Sequence, residues 1–165
     1  MMKKNQKFPN PHPNDLQYAF NRATSYLSLR ARSEKEIEDF LLKKDFNPTI
    51  IPKVIERLKD LKFLNDKEYA RSFTRVRQEY KGKSKYFIKH ELKQKGISED
   101  LIDEVSSESQ DDIKTAKDFI ARKKRILTRL DKKEFNEKIM RLLSSRGFSF
   151  DIINRALKES QETSN

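Results

Sequence analysis

Three turns in this chain carry one short pattern at a constant spacing of 51 residues. The segments KDFNPTIIPKVI, KGISEDLIDEV and RGFSFDIINRAL bring Asp45, Gly96 and Gly147 into register. Each reads basic residue, turn residue, large apolar residue (Phe46, Ile97, Phe148), small polar residue (Asn47, Ser98, Ser149), two spacers and an apolar pair. A unit of that length buries little apolar surface by itself. Units in tandem bury their open ends against one another, so a repeat of this period predicts a stacked array with more surface than a globule of equal mass.

Helical periodicity fills the intervals between the turns, and no run of alternating residues predicts a strand. In the first unit Leu16, Ala19, Ala23 and Leu27 share a helical face. Ser33 and Glu36 make a capping box ahead of Ile37, Phe40 and Leu41. Asn47 is expected to cap a third helix with Pro48 at its first position, followed by Ile51, Val54, Ile55 and Leu58. In the second unit Asn65 with Glu68 opens a helix whose core stripe is expected to be Tyr69, Phe73, Val76 and Tyr80. Gly82 breaks the chain, Ser84 caps the helix carrying Ile88 and Leu92, and Ser98 caps the one carrying Leu101, Ile102 and Val105. SSESQDD reads as a linker, after which Ile113, Ala116, Ile120 and Leu127 give the next helix. Asp131 with Glu134 starts the eighth, carrying Ile139, Leu142 and Leu143, and Ser149 starts the ninth, with Ile152, Ile153, Ala156 and Leu157. Gly96 and Gly147 fall just past a helix end, where a left-handed backbone closes the last turn. Asp45 is tolerable there, because Asp visits that conformation more readily than most residues.

The predicted fold is all-α: three tandem three-helix repeats stacked into an elongated, curved body. The expected boundaries are a mobile tail over 1–14, repeats over 15–62, 63–108 and 109–160, and a C-terminal tail over 161–165. Prolines at 9, 11 and 13 keep the first tail extended.

Chemistry-bearing motifs are scarce. The absence of cysteine removes disulfides, thiolate metal sites and thiol nucleophiles. His12 and His90 have no ligand or nucleophile partner at useful spacing, and three isolated glycines make no phosphate-cradling loop. No acid–base pair stands out among the carboxylates. The chain therefore reads as a non-enzyme without cofactor or metal. The N-terminus lacks a signal-peptide apolar core and no apolar run approaches a membrane span, so a cytoplasmic protein without a membrane partner is expected.

Charge is the informative property. A net charge of +11 and a pI near 9.7 call for a polyanionic partner, or else reflect solubility alone. Between Lys67 and Lys95 ten Lys or Arg face three Glu. Arg71 and Arg75 lie one turn apart, off the expected core stripe and on a solvent face, with Arg77 in the same run. Lys81, Lys83 and Lys85 crowd the turn at Gly82. Such a face follows a phosphate backbone of single- or double-stranded DNA by releasing counterions; a solvated helix surface is the plain alternative. Arg122 and Lys123 begin a second cluster, RKKR, whose consecutive charges spread around a helix. Arg30 and Arg32 either meet the partner or neutralise a helix C-terminus. The segment SEDLIDEVSSESQDD carries seven acids and no base, suiting contacts between units or a helix-capping role. Tyr69, Phe73, Phe87 and Phe148 read as core; Tyr26, Tyr80 and Tyr86 are open between core and base-stacking.

Three blocks resemble the RecX regulatory proteins: YLSLRARSEKEIEDFLLKKDF, FLNDKEYARSFTRVRQEYKGKSKYFIKHELKQKGIS and MRLLSSRGFSFDIINRAL. In order and at the right separations, they place the resemblance over roughly residues 18–158. Asp45 departs from the family, which commonly has Gly there, and the first helix of the third unit matches poorly. The resemblance implies a cytosolic bacterial regulator of the RecA recombinase with a tandem three-helix-repeat fold and no catalytic centre. Such a regulator would lie in the groove of the RecA–DNA filament and inhibit its ATP hydrolysis and strand exchange, by blocking growth or promoting disassembly. That connects the chain to homologous recombination, DNA repair and the SOS response. The residues themselves leave open a sequence-nonspecific DNA-binding protein built of helix-turn-helix-like repeats, and an interaction scaffold. A monomer is the simplest state.

Overall fold

Helices in this chain begin where a short polar side chain takes the first free amides, and several end where a residue swings into the left-handed region. A computed structural model describes residues 10–162; residues 1–9 of the expected N-terminal tail and residues 163–165 of the C-terminal tail lie outside the described residues. Among the described residues there are nine helices and no strand. They are α1 (Leu16–Leu27), α2 (Glu34–Lys43), α3 (Ile51–Asp60), α4 (Asp66–Glu79), α5 (Lys85–Gln94), α6 (Glu99–Glu108), α7 (Asp112–Lys124), α8 (Lys132–Ser144) and α9 (Phe150–Glu162).

Both Ser33–Glu36 and Asp131–Glu134 form reciprocal capping boxes. Asn65 accepts the Lys67 and Glu68 amides, and Ser84 accepts that of Phe87. Ser98 occupies its cap position without a side-chain bond. The third helix starts later than its sequence suggests, at Ile51 rather than Pro48. Pro52 is the cause: a helix begun at Pro48 would need the amide that Pro52 lacks and would press its ring on the carbonyl of residue 48. Beginning at Ile51 puts Pro52 in the first turn. Asn47 instead folds an Asx turn onto Thr49, while its backbone amide reaches the carbonyl of Pro13.

The repeated turns close alike. Asp45, Gly96 and Gly147 have φ of 60°, 78° and 84°. In each, the amide of the next residue (Phe46, Ile97, Phe148) returns to the carbonyl of Leu41, Leu92 or Leu143, a Schellman closure. The following apolar side chain is buried, as is the leucine it closes onto. Lys62, with φ 59°, closes α3 in the same way onto Leu58, a fourth instance in a residue type that gave no signal for it.

The chain divides into two compact units, one ending at Tyr69 and the other beginning at Ala70. The first packs α1, α2 and α3 around Ala19, Phe20, Ala23, Ile37, Leu41, Phe46, Ile51, Val54, Leu58 and Leu64. Phe20 joins the predicted α1 stripe and carries the Arg57 guanidinium over its ring at 4.1 Å. Residues 12–14 are tied to this unit: Asn14 accepts from Asn47, and the His12 ring meets Tyr18 edge-on.

The second unit holds α5 to α9 and most of α4. Ile88, Leu92, Ile97, Ile102 and Val105 are buried among α4, α5 and α6. Ala116, Phe119, Ile120, Ile139, Leu143, Phe148, Ile153, Ala156 and Leu157 form the core of α7, α8 and α9. Three expectations are corrected here. The buried face of α4 is Tyr69, Ala70, Thr74 and Gln78, whereas Val76 and Tyr80 are 39% and 74% exposed. Gln78 goes inside because its amide donates to the Gln110 carbonyl at the α6–α7 turn, so hydrogen bonding overrides the apolar count. The SSESQDD stretch is mostly helix: α6 runs to Glu108 and α7 begins at Asp112. Leu127 lies beyond α7, which ends at Lys124 with Arg122, Lys123 and Lys124 in its last turn, where the helix dipole favours cations.

Candidate nucleic-acid interface

Helix α4 ends at Glu79, and three residues on Gly82, with a positive φ of 59°, lets Lys83 and Ser84 turn back into α5. A Cβ on Gly82 would stand 2.6 Å from Cδ2 of Phe119. The α7 ring therefore seats directly on this backbone. The α8–α9 turn arrives from the other side. Ser84 donates its hydroxyl to the Gly147 carbonyl at 2.8 Å, and its amide donates to the Arg146 carbonyl at 3.1 Å. A Cβ on Gly147 would meet Ser84 Oγ at 2.7 Å, so this turn too is seated on bare backbone.

Cations from separate parts of the sequence collect at that corner. Arg146 Nε donates to the Lys81 carbonyl and its guanidinium lies 4.6 Å from the Phe119 centroid. Arg122 donates to the Glu79 carbonyl. Lys83 stands 3.5 Å over the Phe87 ring, and Lys123 5.4 Å over Phe119. Burial pushes the Lys83 ammonium below its ordinary range, with Arg146 and Arg77 adding to the effect and Glu91 opposing it. Burial likewise lowers Arg146. Carbonyl oxygens and ring faces hold Lys83, Arg122 and Arg146, with the Ser145 hydroxyl a further contact of Arg146, and such neutral partners hold a cation without cancelling its charge. Beside them Lys81 and Arg75 are exposed, with no side-chain partner among the described residues. Tyr80 and Tyr86 flank the turn at 74% and 77% exposure.

The other candidates are placed differently. Arg71, expected on a free solvent face, forks onto Glu108 at 2.8 and 2.9 Å. Arg77 bonds Glu91 at 2.6 Å over the Phe73 ring. Lys85 sends its ammonium to the Ser106 carbonyl and its amide to Asp112. These three therefore tie α4 to α5 and α6, and α5 to α6 and α7, with α6 supplying the acidic counterpart of Arg71 alone. In the first unit Arg30 bonds Glu36 at 3.2 Å. Arg32 packs 3.9 Å over Tyr26, which itself stacks on Phe40. Tyr26 is thus a packing residue. Arg146 was legible only as the basic position of the repeated pattern; nothing local marks it as a surface cation.

Among the described residues no cluster of His, Asp and Glu is arranged to hold a metal ion, and no helix is long and apolar enough to cross a membrane.

Comparison with known proteins agrees with this architecture. Residues 19–58, 65–105 and 110–157 match the first, second and third three-helix domains of RecX. Regulatory protein RecX of Bacillus velezensis is 38% identical over 153 residues, which cover 89% of this chain and 57% of the relative. Its Bacillus subtilis counterpart is 35% identical over 151 residues, covering 88% and 56%. The chain thus spans a little over half the length of these relatives. A crystal structure of RecX from Lactobacillus salivarius superposes with a TM-score of 0.72 at 29% identity, covering 90% of this chain and 97% of that one.

Proposed function

The chain belongs to the RecX family of regulatory proteins, and from that premise we propose that it binds the RecA recombinase–DNA filament and inhibits its ATP hydrolysis and strand exchange. Inhibition acts by blocking filament growth or by promoting disassembly, in the cytoplasm, by a monomer without catalytic activity of its own. The observation that carries the reading is the corner at Gly82. Lys81, Lys83, Arg122 and Arg146 meet there, three of them held by carbonyls and rings, beside two exposed tyrosines. Cations held that way keep their attraction for phosphate, and tyrosine faces stack on unpaired bases. Arg75 extends the same surface along α4. Arg71, Arg77 and Lys85 support it by fixing the helices of the second unit, Lys123 stands at its margin, and Arg30 and Arg32 pack within the first unit on Glu36 and Tyr26.

The test is single-strand-dependent ATP hydrolysis by purified RecA, titrated with this protein. Inhibition at substoichiometric ratios is expected; an unchanged rate at excess protein would refute the proposal. Equal affinity for naked DNA and for filaments would favour the reading as a sequence-nonspecific DNA-binding protein.

A further inference from the structure

The end of the third bundle carries an apolar groove of about 340 Å³. Ile120, Leu127, Leu130, Phe135 and Leu157 line it, together with residues at the start of α8 and the end of α9. Earlier in the chain the matching place is filled twice. At the start of α2, the first amide (Glu34) donates 2.8 Å to the carboxylate of Asp66, the first residue of α4. At the start of α5, the first amide (Lys85) donates 2.8 Å to Asp112, the first residue of α7. The end of the preceding helix joins each time, through Lys59 on Glu34 and Lys85 on the Ser106 carbonyl.

Burial records the difference at the third bundle. The cap residues Ser33 and Ser84 are both 0% exposed and the apolar residues four positions on, Ile37 and Ile88, are 0% and 2% exposed. In α8 the corresponding cap, Asp131, is exposed and Phe135 is only half-buried. No described residue takes the Lys132 amide. The Asp131 carboxylate, also in the lining, is engaged by the Glu134 amide, and Lys124 and Lys132 with the amide end of α8 outweigh its single charge at this rim.

We propose that this groove is a docking site for an amphipathic helix of a protein partner that opens with aspartate. Its carboxylate takes the Lys132 amide and its apolar face covers Phe135 and Leu130. The two helices that supply these aspartates share a sequence pattern, Asp66-Ala70-Phe73 and Asp112-Ala116-Phe119, with alanine four and phenylalanine seven positions after the aspartate. A partner helix of that pattern matches the charge and the apolar face of the groove. The site is separate from the Gly82 corner and does not depend on the filament reading.

The probe is a stapled synthetic helix with the sequence of residues 65–79, titrated into the ¹⁵N-labelled full chain. Saturable shifts at the Lys132 and Phe135 amides are expected, weakened about tenfold when the peptide aspartate is changed to alanine, as befits one charge-assisted hydrogen bond. Leu130→Glu, in the loop before α8, should abolish them while leaving the circular dichroism spectrum and RecA inhibition intact. Shifts confined to other bundles, equal binding of the alanine peptide, or self-association of the chain that Leu130→Glu abolishes would each overturn the proposal, the last by making a second copy the occupant.

Discussion

Replacing Gly147 with alanine tests whether the second and third bundles are joined through bare backbone. Two costs add at this position. A φ of 84° places an L side chain in the left-handed region, worth about 1–2 kcal/mol. The new methyl would stand 2.7 Å from Ser84 Oγ and 3.1 Å from Phe87 Cβ. The hydroxyl must yield, and with it go the Phe87 cap bond and the bond to the Gly147 carbonyl. Loss of such a cap costs about 1 kcal/mol, so the total approaches about 3 kcal/mol. Gly96→Ala is the control, since φ is 78° at an exposed turn and only the backbone cost of about 1–2 kcal/mol applies. Urea denaturation followed by circular dichroism reads both. Ser84→Ala supplies the coupling: once the hydroxyl is gone, Gly147→Ala should cost less by about 1 kcal/mol. Equal destabilisation by the two glycine variants, or strict additivity with Ser84→Ala, would refute the reasoning.

Four further outcomes follow from the geometry. Arg75→Glu with Lys81→Glu should weaken single-stranded DNA or filament binding about 25-fold near 0.1 M salt and flatten the salt slope by about 1.4, measured by fluorescence anisotropy. Arg71→Glu should instead lower stability, because its guanidinium is spent on Glu108. Asp45→Gly should raise the urea midpoint of the first unit by the equivalent of about 1 kcal/mol, since φ is 60° there. Burial, the largest influence, holds the Asp112 carboxyl above its usual 3.8, with the Lys85 amide and charge opposing and Asp111 reinforcing. The folded state then binds its proton before the unfolded state does as pH falls. This carboxylate's contribution to stability rises through the window above 3.8 and levels off below it. Asp112→Asn should therefore raise the urea midpoint at pH 7, with the advantage vanishing towards pH 3.5.

The repeat register, most caps and the turn conformations were legible because each depends on residues close in sequence. Asp45, Gly96 and Gly147 announce their backbone by type and position, and Ser33 with Glu36 closes its box within one turn. What escaped depends on distant partners. Gln78 is buried because the Gln110 carbonyl waits 32 residues away, and spacing along α4 carries no trace of that. The start of α3 was legible in principle through Pro52, but Asn47 and Pro48 gave the stronger local signal. Charge density located the Gly82 turn, yet could not separate Lys81, left exposed, from Arg71 and Arg77, whose carboxylate partners lie 37 and 14 residues on. Arg146 reaches the corner only because two turns fold together.

Besides the Phe119 ring and the Ser145 hydroxyl, the guanidinium partners at that corner are main-chain oxygens of residues 79, 81 and 142. Every amino acid supplies such an oxygen, so no side-chain exchange at those three positions removes the seat. Arg122 and Arg146 must keep their identity, together with Phe119 under Arg146 and the bare backbone of Gly82 and Gly147, whereas residues 79 and 81 are free to change shape or sign. A designer wishing to retune which polymer this surface prefers can therefore vary residues 79 and 81 while the two arginines stay anchored.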